Sequence, residues 1–162
     1  MKIILFLLLF STIPLLGNAQ QAQIYKPEAD VSKAIAQGLA KAKSQHKHLL
    51  LQIGGNWCPW CVKFHTYCSE EREIKTVLDA NYIYLLVNYS KENRNLPELK
   101  KLDYPQRFGF PVFVILDENG KRIHTQNSAY LEEGEGYSKK KIIDFLKAWT
   151  TDALKPEHYK EK

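Results

Sequence analysis

Leu49-Leu50-Leu51-Gln52-Ile53-Gly54-Gly55-Asn56-Trp57-Cys58-Pro59-Trp60-Cys61 is the stretch whose reading decides the fold. An apolar run of strand length meets a Gly-Gly-Asn turn, and two cysteines three apart open a helix. A first cysteine at a helix start faces unpaired backbone N–H groups and the positive end of the helix dipole, which together favour thiolate over thiol. The second lies one turn deeper, close enough to close a small ring. A dithiol placed in this way is suited to reversible redox chemistry.

Outward from this motif the chain alternates. Val31, Ile35, Leu39 and Ala42 recur at helical spacing between Pro27 and Gln45, and Asp30 reads as the N-cap. His48 to Ile53 reads as a buried strand, and the redox helix runs from Cys58 with a break expected near Ser69. Helical character continues from Glu70 to Leu78, and Tyr82 to Asn88 is an aliphatic and aromatic strand. A short helix is expected between Lys91 and Tyr104. Val112 to Leu116, the turn Asp117-Glu118-Asn119-Gly120 and Lys121 to Thr125 predict a hairpin. A polar, glycine-containing loop then leads through Tyr137 to a last helix lined by Ile142, Phe145, Leu146 and Trp149. The order predicts an α/β fold: one central mixed sheet with helices on both faces, in a single domain.

Composition agrees with this scale of fold. The chain has 162 residues, 44% hydrophobic and 25% charged, enough for one ordinary core. The net charge of +5 would allow an acidic partner, but the Lys and Arg residues are scattered apart from Lys139-Lys140-Lys141. They read as a solvated face, and without a basic stripe carrying interleaved aromatics no nucleic-acid partner is expected.

Residues 1–19 read as a signal peptide. Lys2 gives a short positive start, Ile3 to Leu16 are mostly apolar, and Gly17-Asn18-Ala19 offers small residues for cleavage after Ala19. The apolar run, interrupted by Ser11, Thr12 and Pro14, is shorter than the roughly 20 residues that span a bilayer. No membrane span is expected after its removal, and periplasm and secretion both stay open. The remaining divisions are a lead and first helix over 20–46, the redox domain over 47–154 and a polar tail over 155–162. Export favours disulfides, yet a C-x-x-C ring is too small to stabilise a fold much by entropy. A purely structural role for the pair is therefore weak.

From about Lys47 to Thr150 the chain resembles thioredoxin-fold proteins, and most of all the C-terminal domain of periplasmic thiol:disulfide interchange proteins. The residues that carry the likeness are Trp57-Cys58-Pro59-Trp60-Cys61, Phe64 three positions on, and Gly109-Phe110-Pro111 before a strand ending in Leu116-Asp117-Glu118-Asn119-Gly120. The resemblance implies that Cys58 and Cys61 are the catalytic pair and that Pro111 is a cis proline facing them. Such a proline, lacking an N–H, leaves the backbone of Phe110 free to pair with a substrate strand. Trp57, Pro59, Trp60, Phe110 and Pro111 form the expected substrate-binding set, although Trp57 reads equally well as an indole packed beneath the helix. The implied activity is thiol–disulfide exchange by a monomer with protein substrates and a separate redox partner. No cofactor is implied beyond the Cys58–Cys61 disulfide.

Two departures matter. The buried acidic residue that thioredoxins carry six positions before the first cysteine is here Gln52, and an amide cannot take the proton of the second thiol. The Pro59-Trp60 insert is neither Gly-Pro nor Pro-His, which places the expected potential between about −270 and about −120 mV.

Cys58, Cys61, His65 and Cys68 also spell C-x2-C-x3-H-x2-C. On a continuous helix Cys61 and Cys68 are roughly 10 Å apart, whereas two thiolates on one zinc lie within about 4.6 Å, so no metal site is assigned. Cys68 reads as a small buried residue and His65 as a surface or packing residue. Two further functions stay open: soft-ligand copper binding or delivery by Cys58 and Cys61, and a non-enzymatic interaction module with a vestigial dithiol.

Overall fold

The computed structural model describes residues 22–160, so the expected signal peptide over 1–19 lies outside the described residues. The chain runs as α1 (Val31–Ser44), β1 (His48–Gly54), α2 (Pro59–Glu70), α3 (Arg72–Asn81), β2 (Tyr82–Asn88), α4 (Leu96–Lys101), β3 (Val112–Leu116), β4 (Arg122–Asn127), β5 (Glu132–Glu133), β6 (Gly136–Tyr137) and α5 (Lys139–Ala148). Four strands form a mixed sheet in the order β2-β1-β3-β4, with β1 parallel to β2 and antiparallel to β3. The α/β architecture expected from the sequence is present.

Period-two alternation along β1 builds two cores at once. Leu50 joins Phe113 and Ile115 under α2, α3 and α5, while Leu49, Leu51 and Ile53 join Val112, Val114 and Leu116 under α1 and α4. All seven residues of β1 are buried, as befits a strand covered on both faces. The same alternation points Gln52 toward the redox helix, so a buried amide stands behind the dithiol.

Local chemistry sets the helix boundaries. Asp30 caps α1, its carboxylate accepting from the Lys33 N–H at 2.9 Å. The break expected near Ser69 falls at Glu71, whose extended backbone closes α2 and opens α3. Within the glycine-containing loop, Gly134 at φ 57° turns the short β5–β6 hairpin, which the sequence reading leaves as loop. This hairpin brings Tyr137 against the redox helix, with its hydroxyl donating to the Trp60 carbonyl at 3.2 Å.

Candidate active site

Cys58 is itself the N-cap of α2, in extended backbone, with Pro59 occupying the first helical turn. Its sulfur accepts a hydrogen bond from the Cys61 backbone N–H at 3.2 Å. The same N–H also reaches the Cys58 carbonyl at 3.1 Å, so a first-turn donor of the helix is shared with the atom that carries negative charge in the thiolate. Cys58 and Cys61 form a disulfide, their Cα atoms 5.3 Å apart. The helix-mouth placement predicts an accessible first sulfur. The opening is narrower than that: Cys58 keeps 4% of its surface and Cys61 none. Of the two cysteines, only Cys58 retains exposed surface.

The rim of this opening is aromatic. Trp57, left open by the sequence between rim and underside, is 52% exposed. Its indole N–H donates to the Tyr89 carbonyl at 2.7 Å and its ring meets Phe110 edge-on at 5.5 Å. Phe110 also lies against Tyr89 at 4.7 Å. Trp60 turns the other way and stands edge-on to Tyr137 at 5.4 Å, with the Lys63 ammonium over its face. The Phe110–Pro111 bond is cis, as the resemblance implies, and Gly109 just before it holds φ at 88°, a backbone that disfavours any side chain. Pro59 is exposed and Pro111 buried, and Phe110 packs against the cluster that contains both cysteines. Of the expected set, Trp57 and Pro59 are exposed, Trp60 and Phe110 half-buried and Pro111 buried.

Behind the sulfurs lies the Gln52 amide, whose partners periodicity does not announce. Gln52 Nε2 donates to the Cys61 carbonyl at 2.9 Å and to the Tyr25 hydroxyl at 2.6 Å, and the Tyr84 hydroxyl donates to Gln52 Oε1. Burial pushes the Tyr25 and Tyr84 phenols far above their usual range, so both stay neutral. Tyr25 belongs to the segment before α1, and the Asn56 side chain pins it to the turn that precedes Cys58. Asn56 Oδ1 accepts from the Tyr25 N–H and its Nδ2 donates to the Tyr25 carbonyl, each at 2.9 Å. The sequence reading leaves this segment as a lead before the first helix. Its one signal is the apolar pair Ile24-Tyr25 at the end of a glutamine-rich stretch.

Cys68 and His65 stand apart from the dithiol. Helix α2 is unbroken from Pro59 to Glu70, without the kink that a shared metal would need. Cys68 is free, 2% exposed and packed in the core, and burial pushes its thiol well above the usual range. Burial lowers the His65 pKa, and its ring stacks on Tyr84 at 5.9 Å. Mass spectrometry after alkylation of the folded, reduced chain should accordingly find Cys68 unmodified until denaturant is added. Labelling of Cys68 at the rate of free cysteine would contradict its burial.

Comparison with known proteins gives a consistent result. A family model described as thioredoxin-like matches residues 30–118. The chain is 25% identical over 97 residues to a disulfide bond reductase, DsbH, of Chlamydia pneumoniae, an alignment covering 56% of this chain and 58% of that protein. The chain thus spans less than two-thirds of the length of the curated relative it matches. Among solved structures, a disulphide isomerase from Xylella fastidiosa Temecula1 superposes with a TM-score of 0.69 at 24% identity, covering 78% of this chain and 95% of that one. The oxidised C-terminal domain of DsbD from Neisseria meningitidis superposes at 0.53 with 18% identity, covering 74% and 96% respectively. At these identities the structural likenesses establish the fold.

Proposed function

The chain belongs to the thioredoxin-like family, and from that premise we propose that it is a thiol–disulfide oxidoreductase acting on protein substrates through Cys58 and Cys61. The observation that carries this reading is the Cys58 sulfur at the N-cap of α2, accepting a backbone N–H and bonded to Cys61 one turn in. The relationship to a disulfide bond reductase supports it.

In the reducing direction the Cys58 thiolate attacks one sulfur of a substrate disulfide. That bond breaks, the departing substrate thiolate takes a proton, and a mixed disulfide joins Cys58 to the substrate. The Cys61 thiol then gives up its proton and attacks Cys58 Sγ. The second substrate sulfur leaves and is protonated, so the substrate has gained two electrons and two protons while the chain keeps the Cys58–Cys61 disulfide. A separate dithiol reductant resets it. Oxidation of a substrate runs through the same steps in reverse. The dithiol carries the electrons itself, so the reading calls for no further cofactor.

Trp57, Pro59 and Trp60 form the lip against which substrate packs, and Phe110 offers its backbone beside cis Pro111 to an extended substrate strand. An exported monomer, freed of residues 1–19 and working in the periplasm or outside the cell, completes the proposal. No helix among the described residues is long and apolar enough to cross a membrane.

The test is trapping. Cys61→Ser should accumulate a mixed disulfide with substrate proteins at Cys58, visible as a reductant-sensitive band on non-reducing gels of extracts from the native host. A wild-type chain with no reversible dithiol couple between about −300 and −100 mV, or one that purifies with stoichiometric copper and exchanges no disulfides, would overturn the reading.

A further inference from the structure

Resolution of the mixed disulfide asks Cys61, wholly buried, to lose a proton and carry negative charge. Thioredoxin-like chains with a carboxylate at position 52 have a base for this step, and this chain has an amide there instead. The apolar cluster around the sulfurs comprises Tyr25, Cys58 and Cys61, with Ile24, Trp60, Leu86 and Phe110 against it. Tyr84 from β2 and Tyr137 from β6 face Tyr25, and both also face Cys68, while Glu132 faces Tyr137. Lys63 stands on the face of Trp60, with its ammonium engaged by the Glu135 carbonyl.

Hydrogen-bond accounting singles out one donor. The Cys61 carbonyl only accepts, which fixes the NH2 of the Gln52 amide toward it. That NH2 spends one hydrogen on Cys61 and the other on Tyr25, while Oε1 takes the hydrogen of Tyr84. In its bond to Gln52 the Tyr25 oxygen is therefore the acceptor, and its own hydrogen points elsewhere. Gly54 places the sulfur nearby. A methyl group built on Gly54 would lie 2.5 Å from Cys61 Sγ and 2.9 Å from Tyr25 Oη, so both atoms flank the spot a side chain at Gly54 would take.

We propose that Tyr25 serves the exchange reaction as a hydrogen-bond donor to the Cys61 thiolate, a role held in place by Gln52 and by the Asn56 clamp on the Tyr25 backbone. The inference rests on the oxidoreductase reading above. Because the buried phenol stays protonated, it works as a donor and never as a base. The proton that leaves Cys61 goes to the departing substrate thiolate, so the step balances without a carboxylate. Gln52 supplies orientation: by donating to Tyr25 Oη it makes that oxygen an acceptor and leaves its hydrogen for sulfur. Gly54 keeps the intervening space free of a side chain.

Tyr25→Phe removes the hydroxyl and keeps the ring. In the reduced Cys58→Ser chain, the titration midpoint of Cys61, read from thiolate ultraviolet absorbance, should rise by about one pH unit or more when Tyr25→Phe is added, a roughly tenfold loss of thiolate. With both cysteines present, release of substrate from the mixed disulfide should slow about tenfold near neutral pH, and the difference should vanish once the pH is high enough to ionise Cys61 in both proteins. A slowing that is equal at every pH, or an unchanged midpoint, overturns the role of Tyr25. Should Tyr25→Phe fail to fold, the Tyr25 Cζ resonance is followed in the folded Cys58→Ser chain. Movement with the Cys61 titration supports the hydrogen bond, and a flat trace overturns it. A wild-type chain that exchanges no disulfides defeats both this inference and the reading beneath it, whereas normal wild-type exchange with a superimposable Tyr25→Phe profile defeats this inference alone.

Discussion

Cys58→Ser is expected to lower the rate of insulin-disulfide reduction by dithiothreitol in the presence of this chain to the uncatalysed background, a loss on the order of 10³-fold or more of the catalysed rate, as when other enzymes lose their nucleophile. The reason is confined to one atom. Serine is among the best N-cap residues, and its oxygen accepts the Cys61 N–H as the sulfur does. The helix should therefore form as before. What disappears is an anion available near neutral pH, because a hydroxyl at the same helix mouth stays protonated under conditions where a thiol ionises. Cys61, with none of its surface exposed, cannot take over. Thermal melts of the two reduced proteins should agree within a few degrees, since the comparison involves no disulfide and the lost ring is in any case too small to contribute much. A Cys58→Ser protein that kept a tenth of the wild-type rate would show that the helix mouth is not the reacting position.

The contrast with Cys61→Ser follows from the same geometry. In the proposed reaction Cys58, at the edge of the opening, meets the substrate, whereas the wholly buried Cys61 reacts only with Cys58. Loss of the outer sulfur prevents the covalent intermediate, and loss of the inner one prevents its collapse. The two variants together separate attack from resolution, and the role proposed for Tyr25 predicts that Tyr25→Phe slows the second step alone.

Much of this was legible in residue order. The apolar run through β1, the turn, the dithiol and the hairpin after Pro111 are local patterns, and each is written in spacings of two, three or four residues. Long-range choices were not. Trp57 could face outward or inward until the Tyr89 carbonyl, 32 residues away, was seen to take its indole hydrogen. Tyr25 lies 27 residues from Gln52 and meets it with its backbone bonded to the Asn56 side chain and its ring packed against the cysteines. No periodicity encodes a pairing across such distances. The β5–β6 hairpin escaped for another reason: its strands are two residues long and too short to show alternation. The absence of an acid at position 52 was plain from sequence, and it was the fold that brought a phenol to the place left by it.

The other large effect concerns how the redox helix is seated. Cys61, Phe64 and Cys68 are the buried residues of α2, spaced three and four apart on one face, and Phe64 is the bulkiest of them. Its ring sits 4.3 Å from Phe113 on β3 and edge-on to Tyr137 on β6 at 5.0 Å, so a single side chain ties the dithiol helix to the central sheet and to the small hairpin. Phe64→Ala should cost about 3–5 kcal/mol, combining the lost burial with a cavity that β3, fixed by strands on both sides, cannot collapse to fill. Against a total stability of about 5–15 kcal/mol this is a large fraction. The melting temperature should fall by roughly 10 °C or more. Thr66→Ala, exposed on the outer face of the same helix, is the control and should stay within about 0.5 kcal/mol of wild type. Circular dichroism melts of the reduced proteins decide the matter, and a shift for Phe64→Ala no larger than that of the control would mean that α2 is held by something other than this ring. Because the same helix sets where Cys58 stands relative to Pro111, the temperature at which exchange activity is lost should move down with the melt. Chemistry at the mouth of α2 would then depend on an aromatic contact nearly two turns deeper, made by a residue that never meets substrate.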